Sequence, residues 1–423
     1  MDVEKLAKLG MSAGRLEQVS KWLSQQVAME RVAGASLMIG RRGEIAFQEA
    51  AGVVDVETGE AFVDETIVRI FSMTKPITTV AAMMLYERGC FQLDHPVARF
   101  IPSFEQTQVW RGGALSDVEP QSSRMTVRQL MTHTAGLTYG FMNQNVVDEA
   151  YRAQGLDDRR DQTLEDWVDQ LADLPLMCQP GSQWNYSVAT DVLGRLVEVW
   201  SGQTLAAFFE EEIFTPLGMV DTGFYVPEEK QHRFCSMYRP ASGAVMGSQS
   251  PGANPLKDRD PGLILADRFD SSPYLKPGLF YSGGGGLVST LADYGRFCQM
   301  LMNKGELHEV QLLSPKTVAY MRTNQLPDGA DLAAMGQPVW SETNYEGIGF
   351  GLGWAVVLDP VKANVIASEG EHHWGGAAST FFWLDPKEDL FIVFLTQLLP
   401  SSTYPLRREL RAQVNQALTE SGD

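Results

Sequence analysis

Strand-like apolar runs stand at the two ends of this 423-residue chain and helical patterns fill the middle, so any fold must bring the ends together in one sheet. Near the N-terminus, residues 35–40 and 44–47 alternate about the turn Arg41-Arg42-Gly43, a hairpin pattern. An amphipathic helix repeat (Leu16, Val19, Trp22, Leu23, Val27) precedes it. Near the C-terminus, residues 353–358, 379–384 and 390–395 read as strands that continue the same sheet, after a helix over 291–301. Between Phe91 and Tyr225 the signals are all helical. Thr126-Val127-Arg128-Gln129 has the capping-box spacing, with Gly136 as the stop. Ser187 is placed to cap a helix through Val192, Leu193, Leu196, Val197 and Trp200 that ends at Gly202. From Arg239 to Gly286 proline, glycine and serine are dense, as in Pro251-Gly252-Ala253-Asn254-Pro255, which suits a long ordered loop framing a site. There is no internal repeat. The expected fold class is α/β of the α+β type, an antiparallel sheet flanked by helices plus a mostly helical inserted domain. Its expected division is a discontinuous domain of residues 1–90 and 280–423 and a helical domain of residues 91–279.

At the junction of these parts stands Ser72-Met73-Thr74-Lys75. Residues 66–71 before it read as extended, and Ile77, Val80, Ala81, Met84 and Leu85 after it recur with helical period up to Gly89. Ser72 therefore opens a helix. Residues three apart share a helix face, so the Lys75 amine can reach the Ser72 hydroxyl and take its proton, and the helix N-terminus favours a developing oxyanion. Pro76 is tolerated this early in a helix. A Ser-x-x-Lys tetrad arises by chance about once or twice in a chain of this size, and a surface turn with a solvated lysine is the alternative. Position argues for chemistry: no other lysine here has a serine three residues before it.

Composition narrows the partners. With 44% hydrophobic and 21% charged residues the chain can bury a large core. A formal net charge of -19 disfavours nucleic acid and anionic membrane as partners, since both need a basic footprint. No apolar stretch is long enough to span a bilayer and no secretory apolar run follows Met1-Asp2-Val3-Glu4-Lys5, so a cytoplasmic location is expected. Cys90, Cys178, Cys235 and Cys298 are scattered, as free buried thiols are. His95, His133, His232 and His308 are isolated and His372-His373 has no helix-spaced partner, so no metal and no cofactor is expected.

A serine nucleophile also needs a second proton handler and an oxyanion pocket. Tyr186, in the turn-rich run Pro180-Gly181-Ser182-Gln183-Trp184-Asn185-Tyr186-Ser187, can project into a cleft and exchange protons. Tyr281-Ser282 repeats the dipeptide, so Tyr186 is not unique. His372-His373-Trp374-Gly375-Gly376-Ala377 precedes the 379–384 strand, and its glycines let backbone N–H groups approach a ligand; a tight turn into an edge strand is the other reading. Tyr139 and Phe141, with Met142, can line an acyl pocket or pack a helix to its loop.

On these residues the chain resembles the serine β-lactamase and penicillin-binding-protein superfamily, and within it the class C-like carboxylesterases called family VIII esterases. The likeness runs from about Leu16 to Leu395. Its blocks are Phe71-Ser72-Met73-Thr74-Lys75-Pro76-Ile77-Thr78, Leu130-Met131-Thr132-His133-Thr134-Ala135-Gly136-Leu137, Phe214-Thr215-Pro216-Leu217-Gly218-Met219-Val220-Asp221-Thr222 and Gly285-Gly286-Leu287-Val288-Ser289-Thr290. The resemblance implies a β-lactamase-like fold, Ser72 as nucleophile, Lys75 as its base or proton partner, and Tyr186 as the family tyrosine. It also implies an oxyanion hole from the Ser72 and Ala377 N–H groups, with Trp374, Gly375 and Gly376 where the family's Lys-Thr-Gly stands.

Two departures bear on substrate. Lactamases and transpeptidases of this kind usually carry Tyr-x-Asn, whose asparagine meets a side-chain amide; here the third residue is Val188. Trp374 stands where a lysine would attract a substrate carboxylate. A small neutral ester is therefore the expected partner, and hydrolysis of short-chain carboxylic esters through an acyl-enzyme on Ser72 the expected reaction. β-Lactamase, D-Ala-D-Ala peptidase or acyltransferase activity on the same fold is the alternative, and a non-catalytic acyl-compound binder the alternative from another class. The one Gly-x-Ser-x-Gly, Gly10-Met11-Ser12-Ala13-Gly14, has no strand-like run before it, which disfavours an α/β-hydrolase elbow.

Overall fold

The patterned runs at the two chain ends pair with each other. In the structure, a computed structural model that describes residues 2–157, 161–241, 262–336 and 345–422, they form one seven-stranded antiparallel sheet. Its strands are β1 (Gly34–Arg41), β2 (Glu44–Gly52), β3 (Ile348–Phe350), β4 (Ala355–Val357), β5 (His372–Gly375), β6 (Phe381–Asp385) and β7 (Leu390–Thr396), in the spatial order β3-β4-β5-β6-β7-β1-β2. The β1–β7 pairing joins the ends, from Ala35 opposite Thr396 to Arg41 opposite Leu390. The β1–β2 turn is tight because Arg42 and Gly43 both take positive φ, 53° and 76°, which matches the twist of the strands.

Helices cover both faces of this sheet, which is why the C-terminal runs are apolar throughout rather than alternating. Leu37, Ile39, Phe381, Trp383, Ile392 and Phe394 pack against α1 (Ala13–Ala28) and α6 (Leu406–Asn415). Their neighbours Met38, Phe382, Leu384, Phe391, Val393 and Leu395 belong to a larger core. That core passes through α2 (Thr74–Glu87) and α5 (Leu291–Met302) into α4 (Ala189–Ser201), so the sheet and the helical middle share it. Residues 74–85 of α2 are all buried, so it runs as a central helix, and Gly89 at φ 79° follows its end. The N-terminus of α2 carries the Ser-x-x-Lys tetrad.

Local structure departs from expectation in several places. The middle is not all helical: Val109–Trp110 and Val118–Glu119 form a two-residue hairpin, too short to show alternation. The capping box at Thr126 is present, but its helix α3 (Val127–Met131) stops at Thr132. Gly136 serves a later turn, where a side chain would meet the Cys178 carbonyl oxygen at 2.3 Å. Val188, not Ser187, caps α4; the Ser187 hydroxyl instead accepts from Ala189 N at 3.3 Å and lies 3.2 Å from His133 Nδ1. His372–Gly375 is itself a strand, and an interior one between β4 and β6, not a turn into an edge. The four cysteines are free, but Cys90 is half-buried where the other three are buried. Residues 251–255 lie outside the described residues; the following part of the same loop includes the strand Leu263–Asp267, paired with Met237–Pro240. Among the described residues no helix is long and apolar enough to cross a membrane.

Candidate active site

The chain reaches Ser72 through a sharp turn. Residues 66–71 are extended at residues 67–69, where Ile67 bridges to Phe234 and Val68–Arg69 pair with Val288–Ser289; Phe71–Met73 is a single 3-10 turn ahead of α2. Phe71 holds φ at 44°, a left-handed conformation that an aromatic residue rarely adopts and that costs on the order of 1–3 kcal/mol. The turn presents the Ser72 side chain to a cavity of about 560 Å³ and leaves Lys75 buried behind it at 1% exposure.

Three side chains converge there. Lys75 Nζ donates to Ser72 Oγ at 3.1 Å, and the Tyr186 hydroxyl donates to the same oxygen at 2.6 Å. Lys75 also donates to the Tyr139 hydroxyl at 2.9 Å and to the Gly284 carbonyl at 2.6 Å, and lies 4.7 Å from the centre of the Tyr186 ring. Two proton-exchanging groups therefore touch one hydroxyl, the arrangement that activation of a serine and protonation of a leaving group require. Tyr281, the other tyrosine in a Tyr-Ser pair, lines the cavity wall with its ring 5.1 Å from Phe224.

Tyr186 is held by its neighbours. His133 lies 5.0 Å from its ring, Trp374 5.4 Å and Tyr139 5.2 Å. Burial pushes the His133 imidazole well below the ordinary histidine range, and the nearby Lys75 pushes the same way, so His133 is a neutral prop. Isolated in the sequence and buried behind the tyrosine, it is a structural residue.

Ala377 follows β5 and lines the same cavity as Ser72. Among the described residues, neither the Ser72 nor the Ala377 N–H donates to another protein group, as a pair facing an oxyanion would leave them. The glycines before Ala377 have a different reason from the one expected. A side chain on Gly376 would meet the Ile70 carbonyl oxygen at 2.3 Å, and one on Gly375 would meet the Arg407 guanidinium at 2.1 Å. They let β5 close onto the nucleophile turn and onto α6.

The cavity is strongly aromatic. Trp374, Tyr139, Phe141, Trp184, Tyr281 and Tyr345 line it, with Tyr139 stacked on Phe141 at 4.6 Å. Of the three residues offered for an acyl pocket, Phe141 is part of this wall, Tyr139 is too but also touches Lys75, and Met142 is buried in the core away from it. No sequence signal distinguishes that second role. The expected lack of a cation toward a substrate carboxylate needs amending, because Lys276 and Arg407 both line the cavity from segments remote in sequence. Val188 is buried at 1% exposure and takes no part in the lining, so the missing amide partner is not replaced there. Among the described residues no group of three or more His, Cys, Asp or Glu side chains is placed to hold a metal ion.

Known proteins share this arrangement of chain. The family described as Beta-lactamase matches residues 19–416. Esterase EstB of Burkholderia gladioli is 34% identical over 389 residues, covering 91% of this chain and 90% of that protein. Acyltransferase calJ of Penicillium decumbens is 27% identical over 383 residues, covering 88% of this chain and 85% of that protein. Among solved structures, EstCE1, a hydrolase with promiscuous acyltransferase activity, superposes with a TM-score of 0.77 at 28% identity, over 96% of this chain and 99% of that one.

Proposed function

Because this chain belongs to the Beta-lactamase family and is a hydrolase or acyltransferase of that fold, we propose that it cleaves small neutral carboxylic esters through an acyl-enzyme on Ser72. The observation that carries the proposal is the convergence of Lys75 Nζ and the Tyr186 hydroxyl on Ser72 Oγ. In the first step Ser72 Oγ attacks the ester carbonyl, its proton passes to Lys75 or Tyr186, and the oxyanion lies against the Ser72 and Ala377 N–H groups. Collapse breaks the bond to the alkoxide, which takes the proton. Water then repeats the sequence in reverse and frees the acid.

Neutral esters are favoured by Trp374, which offers no charge, and by the rest of the aromatic wall. The test is a panel of aryl acetates, butyrates, octanoates and palmitates. Turnover that is highest for the short acyl chains and absent from Ser72→Ala supports the proposal; turnover confined to the long chains contradicts it.

A second reading, acyl transfer, is favoured by one observation: about 560 Å³ exceeds what a short acyl group fills, leaving space for an acceptor alcohol. Adding a primary alcohol to the same assay separates the two. Transesterified product in excess of acid assigns acyl transfer.

A further inference from the structure

Four consecutive glycines, residues 283–286, run along the wall of the site, and nothing in the reaction as proposed calls for them. None has a left-handed φ, so conformational freedom is not the reason. Close approach is. A side chain on Gly283 would meet the Thr190 carbonyl oxygen at 2.8 Å, one on Gly284 the Asp191 carboxylate at 2.5 Å, and one on Gly286 the Phe224 ring at 2.9 Å. The glycine ribbon threads between α2, which carries Lys75, and α4, which follows Tyr186.

Both helices grip it. From α2, Thr78 donates to the Gly283 carbonyl at 2.7 Å, Lys75 to the Gly284 carbonyl at 2.6 Å, and Thr74 Oγ1 accepts from Leu287 N at 3.2 Å. From α4, the Asp191 carboxylate, 1% exposed, accepts from Gly284 N at 3.0 Å and from the Ser282 hydroxyl. One residue, Gly284, is thus held by a buried carboxylate through its N–H and holds the lysine through its carbonyl.

We infer that Asp191 is a positioning residue that directs Lys75 at Ser72 through Gly284. Lys75 Nζ has three directions free of its own side chain, and they point to Ser72, Tyr139 and Gly284. Fixing two of them fixes the third on the serine hydroxyl. A lysine stem has several rotatable bonds, and without the Gly284 anchor its nitrogen loses the geometry that proton transfer requires. The Asp191 charge fixes the anchor more firmly than a neutral acceptor would, because hydrogen bonds to an ionised acceptor are the stronger kind.

This inference rests on the Ser72 and Lys75 reading above, and its test keeps the two apart. Acylation of Ser72 by an aryl phosphonate is timed by intact mass in wild type, Asp191→Ala, Asp191→Asn, Gly284→Ala and the Asp191→Ala/Gly284→Ala double variant, with Ser72→Ala as control. An adduct in Ser72→Ala sinks the Ser72 reading. With that control clean, Asp191→Ala and Gly284→Ala are each expected to slow acylation by at least about tenfold with KM for an aryl ester within about twofold of wild type. The double variant should be no slower than the worse single, because both cut one link. Asp191→Asn keeps an acceptor for Gly284 N without the charge, so it should slow acylation by a smaller factor, about two- to fivefold, with KM again within about twofold of wild type. Wild-type acylation in Asp191→Ala, or additive losses that follow thermal stability, overturn the inference. If Asp191→Ala does not fold, Asp191→Asn decides alone, and wild-type acylation in it overturns the inference.

Discussion

The chemistry proposed for this protein depends on one oxygen atom and what touches it. Ser72 Oγ meets Lys75 Nζ and the Tyr186 hydroxyl, so Lys75→Ala and Tyr186→Phe should each lower kcat by roughly two to four orders of magnitude, with folding monitored by circular dichroism largely unchanged. Tyr139 calls for a milder prediction. Tyr139→Phe keeps the ring stacked on Phe141 and removes only the hydroxyl that accepts from Lys75, so kcat should fall by roughly 2- to 10-fold, the worth of one neutral hydrogen bond, with KM unchanged. A steady-state comparison of the two proteins checks it. Spacing and flanking pattern marked Ser72 and Lys75 in the sequence, whereas Tyr186 stood out from Tyr281 only through the family resemblance. The contacts of Tyr139 and Gly284 with the lysine, and of Asp191 with Gly284, were not legible, since they run across the fold and leave no local periodicity.

Among the elements, β5 and α5 carry consequences of their own. Gly376 lets β5 approach within contact of Ile70, two residues before the nucleophile, and neither that backbone nor the strand can move without the other. Gly376→Ala should therefore lower stability by about 1–3 kcal/mol, as overpacking does, and slow acylation as well; urea unfolding and a phosphonate labelling rate measure both. The first turn of α5 holds Asp293, buried at 3% exposure, accepting from Asp221 N and the Thr222 hydroxyl. Burial raises its carboxyl from the ordinary 3.8 to about 6. The folded protein then binds a proton that the unfolded chain has released between about pH 4 and pH 6, so this group's contribution falls as pH rises through that window. Asn keeps an acceptor for both donors without the charge. Asp293→Asn should gain on wild type by up to about 3 kcal/mol between pH 4 and pH 7 in urea unfolding, and an equal pH dependence of the two would refute the assignment. The β1–β2 hairpin was readable from its alternation, and β4, β6 and β7 from the unbroken apolar runs that burial on two faces produces, as was α5 from its period; the three-residue β3 was not. The interior place of β5 was not: its Gly-Gly-Ala ending reads as a turn, and only the pairing with β4 and β6 makes it a strand.

At the scale of the whole molecule, the chain ends close one sheet, the helices share its core, and the nucleophile lies where α2 meets the cavity. Charge tells the sequence reader little about that cavity. The chain as a whole carries -19, yet Lys276 and Arg407, brought there from a loop and from the last helix, line the site alongside Asp157 and Asp191. A substrate carboxylate thus has counter-charges nearby but no side-chain amide partner at Val188. On this account kcat/KM for short-chain aryl esters should exceed that for a penicillin by roughly one to two orders of magnitude, since the one polar partner lost, that of the side-chain amide, costs on the order of 1–3 kcal/mol. A side-by-side assay with one preparation measures the ratio, and efficient penicillin hydrolysis with negligible ester turnover would assign a lactamase instead. The most direct test of the central claim is mass spectrometry of the protein quenched during turnover of a slowly deacylating ester. The account predicts a single acyl adduct, located on the peptide that contains Ser72 and lost in Ser72→Ala. An adduct on another residue, or full esterase activity in Ser72→Ala, would contradict it.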